Sequence, residues 1–175
     1  MQKRLDVYLS ENNTVKSSSL AASLIKQGSV EVNGRICTKA SFAVDENDNI
    51  RIIGEMPKYV GRGGLKLEKA LSHYRLHLDG SVCIDIGAST GGFTDCMLQN
   101  GAVKVYSVDV GTDQLDEKLR NDPRVVSMEK TDIRNCVGTL PTVDFIGIDV
   151  SFISLKLILP SAYALLKDGG CLLYT

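Results

Sequence analysis

This 175-residue sequence lacks both a paired-cysteine pattern and a long uninterrupted apolar run, either of which would indicate a class of protein directly. Its five Cys are odd in number, widely spaced and without a CxxC pair, which argues against a disulfide framework or a zinc site. The longest apolar region, residues 145–166, is interrupted by Asp149, Lys156 and Pro160. We therefore predict no membrane span and no secretion signal, and a reducing cytoplasm fits the free thiols.

A strong net charge is also missing, because the whole chain carries only −1. The charge is unevenly distributed, however. Residues 1–66 hold 10 Lys or Arg against 7 Asp or Glu, a net +3, and the remainder carries −4. This division indicates a mildly basic module joined to an acidic one, although chance gives such a division equally well.

The first 54 residues are predicted to form a small α+β domain. Helices are expected at 4–9 and 20–27, the second capped by Ser in 17–19 and ended by Gly28. A strand at 30–32 is followed by Asn33-Gly34, a typical hairpin turn, and another strand is expected at 50–53. Residues 55–64 are rich in glycine and lack apolar periodicity, so we predict a linker there.

Residues 65–175 alternate apolar strands with helices, which is typical of a parallel sheet covered on both faces. The whole chain is therefore predicted to be an α/β protein with a small α+β domain in front. The expected strands are 82–86, 103–110, 125–128, 145–150 and 171–174, and the expected helices are 65–75, 93–99, 113–120 and 155–166. The strand at 171–174 would be an exposed sheet edge, which invites self-association.

A glycine-rich loop follows the first of these strands, in the segment DIGASTGGF at 85–93. Glycines in such a loop let the chain turn sharply and let a ligand approach the backbone. The spacing differs from GxGxxG, which argues against a nicotinamide dinucleotide, and an acidic residue at the strand end suits a ligand with an ammonium group. The candidate ligand-binding residues here are Asp85, Gly87, Ser89, Thr90, Gly91, Gly92 and Phe93.

Acidic residues also follow the next three strands. Asp109, with Val110 beside it, lies about 20 residues beyond the loop, where a carboxylate can accept hydrogen bonds from the ribose hydroxyls of an adenosine cofactor. Asp132 could contact an adenine, and Asp149 could face a substrate. Each of the three could instead cap the helix or turn that follows it.

Four segments carry a resemblance to a known family. YVGRGGLKL at 59–67, DIGASTGGF at 85–93, VDVGTDQL at 108–115 and DVSFISL at 149–155 resemble the TlyA (haemolysin A-like) family of rRNA methyltransferases. RLDVYL at 4–9 and LIKQGSVEVNGRICTKAS at 24–41 resemble the S-four type RNA-binding domain that precedes the FtsJ-like catalytic domain in that family.

The resemblance implies a Rossmann-like domain that binds S-adenosylmethionine and methylates a ribose 2′-hydroxyl of ribosomal RNA. Related enzymes use a Lys-Asp-Lys-Glu set, whose first two members match Lys66 and Asp149. The second Lys and the Glu have no match in the 175 residues, and we place only five of the seven family strands. The chain therefore resembles a C-terminally truncated member, for which we expect weak or absent activity.

RNA binding would depend on the shape and backbone of the RNA, because residues 1–54 offer few aromatic side chains for base stacking. The Ser-Arg of the family is replaced by Ser17-Ser18-Ser19, so one phosphate-binding Arg is absent. The remaining RNA-binding candidates are Arg4, Lys16, Lys26, Asn33, Arg35, Lys39 and Arg62. Three alternatives stay open: a non-catalytic ribosome-binding module, a nicotinamide-dependent oxidoreductase and a membrane-active haemolysin.

Overall fold

A computed structural model describes residues 2–12, 14–15, 17–54 and 57–175. The chain divides into two compact units, Met1–Pro57 and Lys58–Thr175. The helices of the first unit are α1 (Leu5–Glu11) and α2 (Ser18–Lys26), and its strands are β1 (Lys3–Arg4), β2 (Val30–Val32), β3 (Arg35–Ile36), β4 (Ala43–Val44) and β5 (Ile50–Ile52). The expected hydroxyl cap of α2 is confirmed, since the Ser17 Oγ accepts the Leu20 N–H at 3.2 Å.

The first unit combines a two-helix layer with two small antiparallel sheets. Strand β1 pairs with β4, and β2 lies between β3 and β5. The predicted hairpin between β2 and β3 is confirmed, because Val32 pairs with Arg35 across Asn33 and Gly34, both of which have positive φ. The core is aliphatic and consists of Leu5, Leu9, Val15, Ala21, Leu24, Ile25, Val30, Val32 and Val44.

The second unit is built on a five-stranded parallel sheet, as predicted. Its strands are β6 (Val82–Ile86), β7 (Lys104–Val108), β8 (Val125–Met128), β9 (Val143–Ile148) and β10 (Leu166–Tyr174), in the order β10-β9-β6-β7-β8. Its helices are α3 (Gly63–Tyr74), α4 (Gly92–Gln99), α5 (Glu117–Arg120) and α6 (Leu155–Ala164), with a 3-10 turn at Ile133–Asn135. Within the described residues β10 pairs with β9 alone, so it is an edge strand as expected.

Two apolar clusters cover the two faces of this sheet, because successive strand residues point to opposite faces. On β6, Cys83 belongs to the cluster with Leu67 of α3 and Met97 of α4. Its neighbour Ile84 belongs to the cluster with Ile158 of α6. The same alternation directs Asp85 toward the α4 face of the sheet, where it contacts Thr94.

Three predicted boundaries differ from the structure by more than two residues. The helix expected at 113–120 is confined to α5, because Asp113 has a φ of 53° and the Glu129 carboxylate accepts the Gln114 and Leu115 N–H groups instead. The last strand begins at Leu166 and is irregular before Cys171. The segment predicted as a linker overlaps the second unit, since Tyr59 is only 4% exposed and α3 begins at Gly63.

Candidate functional site

A cavity of about 280 Å³ opens at the carboxyl ends of β6 and β9. Crevices at this edge of an open α/β sheet are the usual position of ligand sites. The cavity combines the glycine loop, the start of α3 and the end of β9. Its lining consists of Gly63, Lys66, Asp85, Gly87, Ala88, Ser89, Thr90, Gly92, Phe93, Asp149 and Ser151.

The glycine loop is shaped by close packing at two of its residues. Gly87 has a φ of 83°, and a Cβ there would lie 2.7 Å from the Asp149 carbonyl oxygen. Gly91 has a φ of 94° and forms the residue before the first turn of α4. A side chain at either position would meet both an unfavourable conformation and a steric conflict, so the loop sequence is tied to its shape.

Asp109 fastens the glycine loop to the end of β7. Its Oδ2 accepts the Ser89 N–H at 2.7 Å, and its Oδ1 accepts the Gly111 N–H at 2.7 Å. Each carboxylate oxygen has two lone pairs, so both can accept a further hydrogen bond. The turn after β6 and the acidic residue after β7 therefore lie at the same end of the sheet, as a site for an adenosine-linked ligand requires.

Asp85 is fully buried in the floor of the cavity. Its Oδ2 accepts both the Thr94 N–H at 2.9 Å and the Thr94 hydroxyl at 2.7 Å. Its Oδ1 has no hydrogen-bond partner among the residues that the structure describes. Burial raises the pKa of this carboxyl to about 7, the Thr94 donors oppose that rise, and the negative charges of Asp149 and Asp109 add to it.

Lys66 and Asp149 meet at the same cavity. The Lys66 Nζ lies 3.1 Å from Oδ1 and 3.0 Å from Oδ2 of Asp149, and the Thr175 hydroxyl donates to Oδ1 at 2.8 Å. Glu68, which is close to Lys66 in the sequence, pairs with Lys58 instead. Asp149 follows β9 and is turned into the cavity, where its side chain is partly exposed.

The segment before α3 contributes to the site in a way that the sequence alone did not reveal. A Cβ on Gly92 would lie 2.9 Å from the Gly64 nitrogen and 3.0 Å from the Gly61 oxygen, so the two glycine segments touch through their backbones. The buried Asp95 of α4 holds this contact, since its Oδ2 accepts the Val60 N–H at 2.9 Å. The only signal in the sequence was the glycine content of both segments.

Four predicted ligand residues, Gly91, Asp109, Val110 and Asp132, lie outside the cavity lining. Val110 is 74% exposed. Asp132 caps the following 3-10 turn by accepting the Arg134 N–H at 2.9 Å, and it pairs with the Arg134 guanidinium at 2.6 Å. The capping alternative for Asp132 is therefore what the structure shows.

The predicted RNA-binding residues are distributed over both units. In the first unit Lys26, Arg35 and Lys39 are exposed and form no ion pair with any described residue. Arg4 is engaged with Asp6 at 2.7 Å, which lowers the pKa of that carboxyl, and Asn33 bridges its hairpin to Asp48 and Asn49. Arg62 is exposed in the second unit, and Lys16 lies outside the described residues.

The described helices include none with the length and apolar character that crossing a bilayer requires. Within the same residues no cluster of three or more His, Cys, Asp or Glu side chains forms a metal-binding group.

Comparisons with known proteins agree with this arrangement. The model of the FtsJ-like methyltransferase family matches residues 59–169, and that of the S4 domain matches residues 3–50. Hemolysin A of Brachyspira hyodysenteriae is 43% identical over 170 residues, covering 94% of this chain and 70% of the relative. The 16S/23S rRNA (cytidine-2'-O)-methyltransferase TlyA of Mycobacterium tuberculosis is 39% identical over 164 residues, covering 90% and 60%.

A solved structure from Streptococcus thermophilus that carries a hemolysin name superposes with a TM-score of 0.68 at 45% identity, covering 98% of this chain and 64% of that one. The chain spans about 60 to 70% of the length of the curated relatives that it matches. The resemblance inferred from the sequence is confirmed: with an S4 domain ahead of its parallel sheet, the chain belongs to the FtsJ-like methyltransferase family.

Proposed function

We propose that the second unit binds S-adenosylmethionine and that the whole protein methylates a ribose 2′-hydroxyl of ribosomal RNA. One observation carries the proposal: Asp85, whose buried Oδ1 has no donor among the described residues, and the Lys66–Asp149 ion pair line the same cavity. The first suits an ammonium group, and the second suits an oxygen that gains negative charge during a reaction. Relatives named as rRNA (cytidine-2'-O)-methyltransferases support the substrate class.

The residues of the cavity fit this cofactor. The unpaired Asp85 Oδ1 would receive the ammonium group of its amino-acid part, and the backbone of 87–92, with Phe93 beside it, would enclose the same part. Asp109 has acceptor capacity left for the ribose hydroxyls, beyond its bonds to Ser89 and Gly111. Val110 and Asp132, which follow β7 and β8, would contact the adenine.

S-adenosylmethionine supplies an electrophilic methyl group when bound. A ribose hydroxyl is a weak nucleophile, so its oxygen must be held in line and its developing charge stabilised. The Lys66 Nζ would donate to that oxygen, and Asp149 fixes the position of the Nζ through two contacts of 3.0 and 3.1 Å. The family resemblance assigns the proton transfer to a further Lys that has no match in residues 1–175.

The first unit would supply affinity for RNA phosphates. Lys26, Arg35 and Lys39 are exposed, and their charges are not paired within the described residues. Such cations bind the RNA backbone without reading sequence. Arg62 of the second unit would add to this affinity for RNA phosphates. Ribosomal RNA as the substrate implies a cytoplasmic location.

The test has two parts. Calorimetric titration of the chain with S-adenosylmethionine should show binding to one site. The full-length protein should transfer tritiated methyl groups to ribosomal RNA. Nucleoside analysis should then identify 2′-O-methyl products. RNA binding without cofactor binding would instead establish the non-catalytic module, and base-methylated products would refute the ribose assignment.

A further inference from the structure

Three polar side chains form a continuous chain inside the apolar interior of the second unit. Asp85 and Thr94 are 0% exposed, and Ser107 is 2% exposed. The Thr94 Oγ1 lies 2.7 Å from Oδ2 of Asp85 and 2.7 Å from the Ser107 Oγ. The network therefore joins β6, α4 and β7 directly beneath the cavity.

The direction of the hydrogen bonds in this network follows from the charge of Asp85. When Asp85 is ionised, its carboxylate only accepts hydrogen bonds, so the single hydroxyl hydrogen of Thr94 must be donated to Oδ2. The Thr94 oxygen is then free to accept the hydroxyl hydrogen of Ser107. Ser107 thus donates to Thr94, and Thr94 donates to Asp85.

The network satisfies one carboxylate oxygen and leaves the other without a donor. Oδ2 receives two hydrogen bonds from Thr94, whereas Oδ1 receives none from the described residues and belongs to a cavity-lining side chain. A buried acceptor without a donor is costly. A network that served stability alone would be expected to pair both oxygens.

We propose that Thr94 and Ser107 are positioning residues that fix the Asp85 carboxylate by one oxygen, so that the other oxygen faces the cavity to receive a primary ammonium group. The inference rests on the proposed function and deepens it, since it assigns recognition of the amino-acid part of the cofactor to a buried hydroxyl relay. Neither hydroxyl would touch the ligand.

The test compares two ligands that differ in the amino-acid part, which carries the ammonium group. S-adenosylhomocysteine carries the amino-acid part, and 5′-methylthioadenosine keeps the adenosine and the sulfur but lacks it. Thr94→Val preserves the shape of the side chain and removes the hydroxyl. We expect it to weaken S-adenosylhomocysteine binding about tenfold, as for loss of one hydrogen bond to a charged group, and to leave 5′-methylthioadenosine binding unchanged.

Two further variants complete the calorimetric series. Thr94→Ser keeps the donor and should bind S-adenosylhomocysteine within about twofold of the wild-type affinity. Ser107→Ala removes only the outer donor and should show a smaller loss in the same direction. If Thr94→Val does not fold, as judged by thermal unfolding, the ligand preference of Ser107→Ala decides the question.

The outcomes separate the two proposals. If Thr94→Val weakens binding of both ligands equally, or of neither, the positioning role is overturned. The proposal that the chain binds S-adenosylmethionine would still stand. If the wild-type chain binds neither ligand, the proposed function fails, and the inference fails with it.

Discussion

Lys66 and Asp149 are 83 residues apart in the chain, yet the Lys66 Nζ contacts both oxygens of the Asp149 carboxylate. Lys66 lies in the first turns of α3, ahead of the parallel sheet, and Asp149 follows β9 within it. The pair therefore forms only when α3 is packed against the sheet. In the proposed function, the Lys66 Nζ held in this way beside the cavity is the donor for the substrate oxygen.

Replacing Lys66 by Ala should lower methyl transfer by at least about a hundredfold, because the ribose oxygen loses the group that would orient it. Binding of S-adenosylmethionine should change little. The measurements are transfer of tritiated methyl groups to ribosomal RNA by the full-length protein and calorimetric titration of the protein with S-adenosylmethionine. Lys69→Ala is the matched control, since Lys69 is an exposed Lys of the same helix. Equal activity in the two variants would contradict the assignment.

Binding of S-adenosylmethionine should depend on pH through Asp85. Its carboxyl has a pKa raised to about 7, so below that pH the folded chain holds a proton where the ligand needs a negative charge. Affinity should fall roughly tenfold per pH unit below about 7 and level off above it. The charged groups that face Asp85 from the neighbouring strand ends are Asp149 and Asp109, whose negative charges add to the rise in its pKa.

The free energy of unfolding of the ligand-free chain should depend on pH in the opposite direction to the ligand affinity. The folded state holds the Asp85 proton more tightly than the unfolded state, where the pKa is near 3.8. The contribution of this group to the free energy of unfolding is therefore present near pH 4 and is lost as the pH rises to about 7. Urea unfolding of Asp85→Asn should lack this component, and identical pH profiles for variant and wild type would refute it.

Gly92→Ala should destabilise the second unit by about 1–3 kcal/mol, because its Cβ would meet backbone atoms of Gly61 and Gly64 that cannot rotate away. Gly63→Ala is the control in the same contact region. Its nearest neighbour atom would lie at 3.4 Å, an ordinary contact, so a change within about 0.5 kcal/mol is expected. Urea unfolding measures the free energy of unfolding of both variants. A loss for Gly92→Ala no larger than that for Gly63→Ala would contradict the close backbone contact.

The exposed cations Arg35 and Lys39 should contribute to RNA affinity. Replacing both by Ala should weaken binding at low salt and reduce the slope of log K against log salt by about 0.7 for each RNA phosphate that is no longer neutralised. Arg4→Ala should have a smaller effect, because its guanidinium is engaged with Asp6. Filter binding at several salt concentrations tests the difference, and an unchanged slope in the double variant would exclude these residues from the interface.

The sequence was sufficient to predict most of the architecture. Short apolar runs alternating with helices identified all five strands of the parallel sheet, because strands of such a sheet are covered on both faces. The Asn33-Gly34 pair identified the hairpin. The predictions failed where long-range contacts decide the local structure. The helix expected from residue 113 is shortened because Glu129, on the turn after β8, binds the backbone N–H groups that would have started it.

The site was predictable only in part for a related reason. Asp85, Asp109 and Asp149 were identified because they lie at the ends of strands whose carboxyl ends meet. Thr94, Ser107 and Asp95 were missed, since a Thr in a helix, a Ser in a strand and an Asp in a first helical turn carry no distinctive pattern. Their roles depend on which elements pack together, and Val60 with Asp95 is the clearest example.

The central place of β6 in the sheet determines how firmly Asp85 is held. This strand is bonded to β7 on one side and β9 on the other, and apolar clusters cover both of its faces. Its amide hydrogens should exchange with solvent only when the whole unit opens, more slowly than those of the edge strands. An incoming ligand thus meets a backbone that is already immobile, and most of the entropy lost in forming this contact is that of the ligand.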